Sequence, residues 1–357
     1  MTSDASENRL PAPLSTLAIG SVPFDRTDEA LDLMAENLDI PASPQMVALS
    51  PWEDMIFGAL SGLPSLAIDE KNRSVVALQE GREEGMAEFY EKYYSGDLDF
   101  LALDERSSIG FSAFLARAEK SASFGSSFLK TQVVGPITLA QSVKAEGGAG
   151  SVLNDPSLLE LFSLAMGGKA AWLAARLRAL GREPIVFIDE PGLTGYGSAF
   201  STLSAEIVLK SMEGAIEAAR AGGRVLLGCH VCGNTDWGLL AKTGLDILNF
   251  DAYEYMETIC LYPREMKEFL DKGGFLAFGV APTREFAPSM SAADLADVVL
   301  RGWRSLAAKG LDPVLLRGRT LLTSACGLGS LSREQARGVM GILPEIKARL
   351  AEASILS

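Results

Sequence analysis

Short apolar runs recur along the chain, and most are followed by a stretch with helical periodicity. Eight of the runs read as strands: 16–21 (TLAIGS), 45–50 (QMVALS), 129–134 (LKTQVV), 184–189 (PIVFID), 224–229 (RVLLGC), 246–251 (DILNFD), 275–280 (FLAFGV) and 319–325 (RTLLTSA). The segments between them carry helix signals. Asp155-Pro156 supplies an N-cap and a first-turn proline ahead of LLELFSLAMGGKAAWLAARLRAL. Ser291 and Asp294, and likewise Ser332 and Gln335, have capping-box spacing. Lys272-Gly273 and Lys309-Gly310 are helix stops. Eight strands, each with its helix, predict an α/β fold in the form of a single (β/α)8 TIM barrel. Roughly 80 residues part the second and third strands, too many for a plain crossover. The expectation is therefore a barrel domain over 14–357 with an insertion or lid at about 55–125, preceded by a flexible tail at 1–13.

Composition narrows the class. A net charge of −14 argues against nucleic acid or an anionic membrane as partner. Lys169, Arg176 and Arg178 interrupt the longest apolar stretches, so no transmembrane span is expected. The N-terminus has neither a basic nor an apolar signal region, and four cysteines show no pairing pattern. Both features suit a cytoplasmic protein.

Candidate chemistry centres on the chain's one histidine. His230 stands two positions before Cys232 in LLGCHVCGN. In extended chain, residues i and i+2 leave the same face, so imidazole and thiolate converge while Cys229 points away. Cys326 closes a later apolar run in TSACGLG. His-x-Cys plus a distant Cys is a plausible zinc set, with a fourth position left open as in catalytic sites. The plainer alternative is a histidine satisfied inside the core. Ser21, Asp189, His230, Cys232, Asp251 and Cys326 all fall at or just past strand C-terminal ends, the rim where barrel enzymes place their active sites. Asp189 and Glu190 read as catalytic (Asp189) and substrate-binding carboxylates, or else as a helix cap or arginine partners. Ser21 reads as a substrate contact or a turn residue. Cys229, Cys260, Tyr90, Tyr93 and Tyr94 read as packing, and GPIT (Gly135 to Thr138) as a tight turn.

Taken in order, IGS (Ile19 to Ser21), GPIT, IDEP (Ile188 to Pro191), the His230/Cys232 pair and CGL (Cys326 to Leu328) resemble the catalytic domain of cobalamin-independent methionine synthase. HVCGNT is equally similar to zinc methyltransferases acting between corrinoid proteins and coenzyme M. Both belong to a superfamily with uroporphyrinogen decarboxylase. The resemblance runs from about residue 14 onward and implies a stand-alone core form. It implies zinc held by His230, Cys232, Cys326 and an acidic fourth ligand at Asp251, or at Glu254 if no gap precedes it. It also implies that Ser21 and Asp189 hold the amino-acid part of a homocysteine-like thiol.

Two positions depart from that pattern. Leu49 stands where a glutamate would bind the substrate amine, with Asp54-Met55 following as expected. No second histidine follows the seventh strand, where the stretch reads GVAPTREFAPS. That points away from methyltetrahydrofolate, whose leaving group needs a proton, and toward a methylcorrinoid such as methylcobalamin, free or on a partner corrinoid protein. The expected function is zinc-dependent methyl transfer to a small thiol. The alternatives are a uroporphyrinogen-type decarboxylase and a non-catalytic zinc- or corrinoid-binding protein.

Overall fold

Alternation along six strands organises the molecule. A computed structural model describes residues 10–120, 124–148, 150–198, 203–284, 286–287 and 289–354. Among them are nine strands: β1 (Leu66–Asp69), β2 (Ser74–Ala77), β3 (Phe128–Val134), β4 (Val143–Ala145), β5 (Glu183–Asp189), β6 (Leu226–Val231), β7 (Ile247–Asp251), β8 (Phe275–Ala281) and β9 (Thr320–Ser324). β3 and β5 to β9 form one parallel sheet in the order β3-β5-β6-β7-β8-β9. Helices fill the connections, as parallel neighbours require.

All six of these strands coincide with expected runs, with one shift. The 224–229 run forms its strand two residues later, at Leu226–Val231. Gly222 and Gly223 end the preceding helix, Gly223 at φ +111, so Arg224 is spent leaving that turn. The longer reach carries His230 into the strand itself.

The first two expected strands are not regular. Residues 14–22 lie along β9: Leu17 N donates to Leu322 O at 3.0 Å, and Leu322 N to Ser15 O at 3.0 Å. Only isolated bridges form, at Thr16 to Leu322 and Ser21 to Gln45. The expected strand 45–50 gives way to a turn at 47–49, and the bridging falls earlier, on 42–45. There Pro41 O accepts from Lys130 N and Ser43 N donates to Lys130 O. Pro41 and Pro44 have no N–H to give, so an unbroken ladder cannot form. The apolar run MVAL misled because prolines hide a sheet-edge segment.

Two apolar layers flank the sheet. One face carries Leu17, Ile19, Ile40, Phe128, Ile185, Phe187, Ile247, Phe275, Ala277 and Leu321 as a separate buried cluster. The other packs on the helices. Helix Pro156–Ala179 starts as expected, Asp155 accepting from Ser157 N and Leu158 N. By length and composition it could cross a bilayer, yet most of its apolar window is buried inside the protein. Its Lys169 is buried too and donates to Ser61 O, Ser61 Oγ and Leu101 O. Burial pushes that amine down to about 7. Lys169 thereby ties the segment between the second bridge and β3 to the main helix. That segment holds the β1-β2 hairpin, which pairs on through β2 with β4, and helices Arg82–Tyr94 and Ile109–Lys120.

Helix caps follow the sequence with one difference. Ser332 and Gln335 make both arms of a capping box. At Ser291 only one arm forms, because the Asp294 carboxylate takes the Ser291 hydroxyl rather than its N–H. The tail expected at 1–13 falls largely outside the described residues, and Leu14 N is already fixed on Thr320 O.

Candidate metal centre

The inward row of each strand changes character along its length. Phe128, Ile185, Leu226, Ile247, Phe275 and Leu321 form or pack on the apolar floor. Residues two and four positions later on the same strands include Lys130, Gln132, Asp189, His230, Asn249 and Thr323. All six are buried. Period-2 geometry thus stacks a polar layer directly on an apolar plug, near the C-terminal ends of the parallel strands.

His230 ends this layer on β6. Its Nδ1 lies 2.5 Å from Asn249 Oδ1, while Nε2 is buried with no hydrogen-bond partner. Burial pushes its pKa down to about 4, so the ring is neutral at physiological pH. Cys232 follows just beyond the strand, and Cys326 two residues past β9. One ligand atom from each of His230, Cys232 and Cys326 lies within 4.8 Å of the others. Cys229 faces the helices and belongs to the outer core. A hydrogen bond from Cys326 is the main reason the Cys232 thiol falls to about 6, and the same bond holds the Cys326 thiol well above its usual range.

A neutral imidazole with one unpartnered nitrogen, clustered with two thiols, fits a borderline-soft ion such as zinc. An unpartnered buried nitrogen is otherwise costly, on the order of 1–3 kcal/mol. The donor set and that orphaned atom both favour a metal.

The acidic candidates lie further out. Asp251 ends β7 and accepts from Glu254 N at 2.9 Å, capping the next helix turn. It is not one of the three converging groups, yet it lines a cavity of about 120 Å³ with Cys232, Cys326, Tyr253, Glu254 and Arg284. Glu254 pairs loosely with Arg284, at 3.9 Å.

The remaining expected residues divide. Asp189 is buried with Oδ1 unpartnered. Burial pushes its carboxyl up to about 7, with buried Lys130 pulling the other way. Glu190 turns off the site altogether. Its carboxylate accepts from Ile137 N (3.0 Å), Thr138 N (2.8 Å) and Thr138 Oγ1 (2.6 Å). It therefore caps helix Pro136–Ser142, and a Cβ on Gly135 would meet it at 2.1 Å. GPIT is the cradle for this carboxylate, which accounts for both motifs at once. Ser21 packs on the loop after β9, its Oγ accepting from Gly329 N at 3.3 Å and its carbonyl from Leu328 N at 2.8 Å. Ser21 is thus set beside the Cys326 loop.

Lys130, Asn249, Thr323 and Arg284 were not singled out from sequence. For Asn249 the signal was present: in DILNFD it shares the Asp251 face.

No protein-family model and no curated protein matches this chain in sequence. Solved structures match its fold. One is a B12-independent methionine synthase from Shewanella sp. W3-18-1 in complex with selenomethionine, at 16% identity and TM-score 0.60, covering 96% of this chain and 98% of that one. Another is from Listeria monocytogenes, described as a candidate vitamin-B12-independent methionine synthase. It is 12% identical at TM-score 0.57, covering 96% of this chain and 99% of its own. At these identities the likeness is one of fold.

Proposed function

We propose that this chain is a zinc-dependent methyltransferase that methylates a small thiol. The observation that carries the reading is the convergence of His230, Cys232 and Cys326, one ligand atom from each within 4.8 Å of the others, with His230 Nε2 buried and unpartnered. The names of the two fold neighbours agree with it. In the same reading, the bridged segments at 16–21 and 42–45 serve as the first two staves of a (β/α)8 barrel, and about 55–125 is an insertion on it.

His230, Cys232 and Cys326 would hold the ion, and Asp251, which lines the adjoining cavity, would complete the set. Bound zinc would keep an incoming thiol deprotonated yet nucleophilic near neutral pH. The substrate sulfur forms a bond to the methyl carbon as the donor's bond to that carbon breaks, and the leaving group keeps the electron pair. Asp189 Oδ1, buried and unpartnered, is available to a donor group on the substrate. With His230 committed as a ligand, no imidazole remains to protonate a leaving group. A methylcorrinoid needs no such proton, which favours it over methyltetrahydrofolate. Among the described residues the buried polar layer contains no arginine, against a site built for several substrate carboxylates.

The test is an assay of zinc-loaded protein with homocysteine or coenzyme M and either methylcobalamin or methyltetrahydrofolate. We expect thiol-dependent demethylation of methylcobalamin, visible as a colour change, with the methyl thioether as product. Failure to methylate any thiol with either donor, zinc being bound, would overturn the reading.

A further inference from the structure

We propose that Asn249 is a positioning residue that fixes His230 in the tautomer with its proton on Nδ1, so that Nε2 meets the two thiols as a bare lone pair. Asn249 Nδ2 lies 3.0 Å from Ala277 O, and a carbonyl can only accept. The NH2 group must therefore face β8, and Oδ1 must face His230. Turning the amide over would set two acceptor oxygens against each other in a buried site. An amide oxygen also only accepts, so the proton in the 2.5 Å contact with His230 belongs to Nδ1. Nε2 is buried with no hydrogen-bond partner, so a second proton there would have no acceptor, and the ring carries only the proton on Nδ1.

The second Asn249 N–H is placed as well. It donates to Thr323 Oγ1 at 2.8 Å, and Thr323 gives its own hydroxyl proton to Ser324 O at 2.8 Å. Ser324 Oγ in turn donates to Cys326 O at 2.8 Å. Hydrogen bonds therefore link the His230 ring through Asn249 on β7 to Thr323 on β9, and the next residue of that strand, Ser324, holds the loop bearing Cys326. Every donor in this network is used, so the ring has one orientation. The partner is a neutral amide rather than a carboxylate, which adds no negative charge beneath two thiols. The consequence for zinc affinity rests on the metal reading above. The tautomer does not.

Because His230 is the only histidine, protein labelled with 15N-histidine shows one pair of ring nitrogens, without assignment. In metal-free wild type at neutral pH we expect a protonated Nδ1 and a bare Nε2. Adding zinc should move the Nε2 signal and leave Nδ1 protonated. A proton on Nε2 in the metal-free protein would overturn the proposal. Asn249→Leu should abolish the tautomer preference and weaken zinc roughly 10- to 100-fold in chelator competition, the usual effect of losing such a partner. An unchanged tautomer and unchanged affinity would also overturn it. Thr323→Val should keep the wild-type tautomer, since Ala277 O still orients the amide; loss of the tautomer there would contradict the argument. If the Leu variant does not fold, the wild-type spectrum decides alone. The expected tautomer without zinc binding would sink only the metal reading, and zinc bound through the other nitrogen would sink only the role of Asn249.

Discussion

Cys326→Ala should give a folded protein that binds zinc about 100-fold more weakly, or worse, and no longer methylates thiols. A four-ligand zinc site is worth roughly 10–16 kcal/mol, so one ligand carries about 3 kcal/mol, or about two decades of affinity. The fold should survive because Cys326 is only partly buried, in the loop after β9. Cys229→Ala is the informative control. Cys229 is fully buried three residues before Cys232, but it faces the helices. Its loss should lower stability and leave zinc affinity unchanged. Chelator competition on both variants separates the cases, and equal zinc affinity in Cys326→Ala and wild type would refute the assignment of Cys326.

Glu190→Ala should be among the most destabilising single changes in the protein, at about 3–5 kcal/mol. The substitution strands Ile137 N, Thr138 N and the Thr138 hydroxyl in a buried site, each at a cost of roughly 1–3 kcal/mol less whatever relaxation recovers. Urea unfolding measures it, and a loss below about 1 kcal/mol would show that the carboxylate is not the cap. The pH dependence carries a sign. Burial raises the Glu190 carboxyl from 4.5 to about 7, so the folded state holds its proton more tightly than the unfolded chain. Its favourable contribution is complete below about 4.5 and is lost as pH rises through about 7. Wild type should therefore lose stability relative to Glu190→Gln across that window. Zinc content should persist in the Gln variant, since Glu190 faces away from the three ligands.

The sequence made the centre of this site legible because its chemistry sits on alternation. His230 and Cys232 share a face by spacing alone, and Cys229 takes the other. Six parallel strands were readable because each is a short run rich in apolar or β-branched residues, set off from the helical pattern that follows. The first expected run lies in place but makes only isolated bridges, and the second was not readable, because its pairing depends on backbone groups around Pro41 and Pro44 rather than on an apolar pattern. Glu190 illustrates a different limit. From sequence it is one carboxylate beside another, and only the fold shows that helix Pro136–Ser142 starts where its oxygens arrive. Asp189 and Glu190 are neighbours in sequence with opposite surroundings, one oxygen of Asp189 unpartnered and the Glu190 carboxylate fully engaged. Long-range partners decide such roles, and residue type does not reveal them. Lys130, reaching Ile19 O and Gln132 Oε1 inside the sheet, was hidden for the same reason.

The central claim is that His230, Cys232 and Cys326 form a zinc centre. Elemental analysis of the purified, reduced protein tests it most directly, before and after alkylation of its thiols. The account predicts about one zinc per chain, held through buffer exchange and lost when Cys232 and Cys326 are alkylated. A reduced, folded protein that takes up no zinc on reconstitution would contradict it.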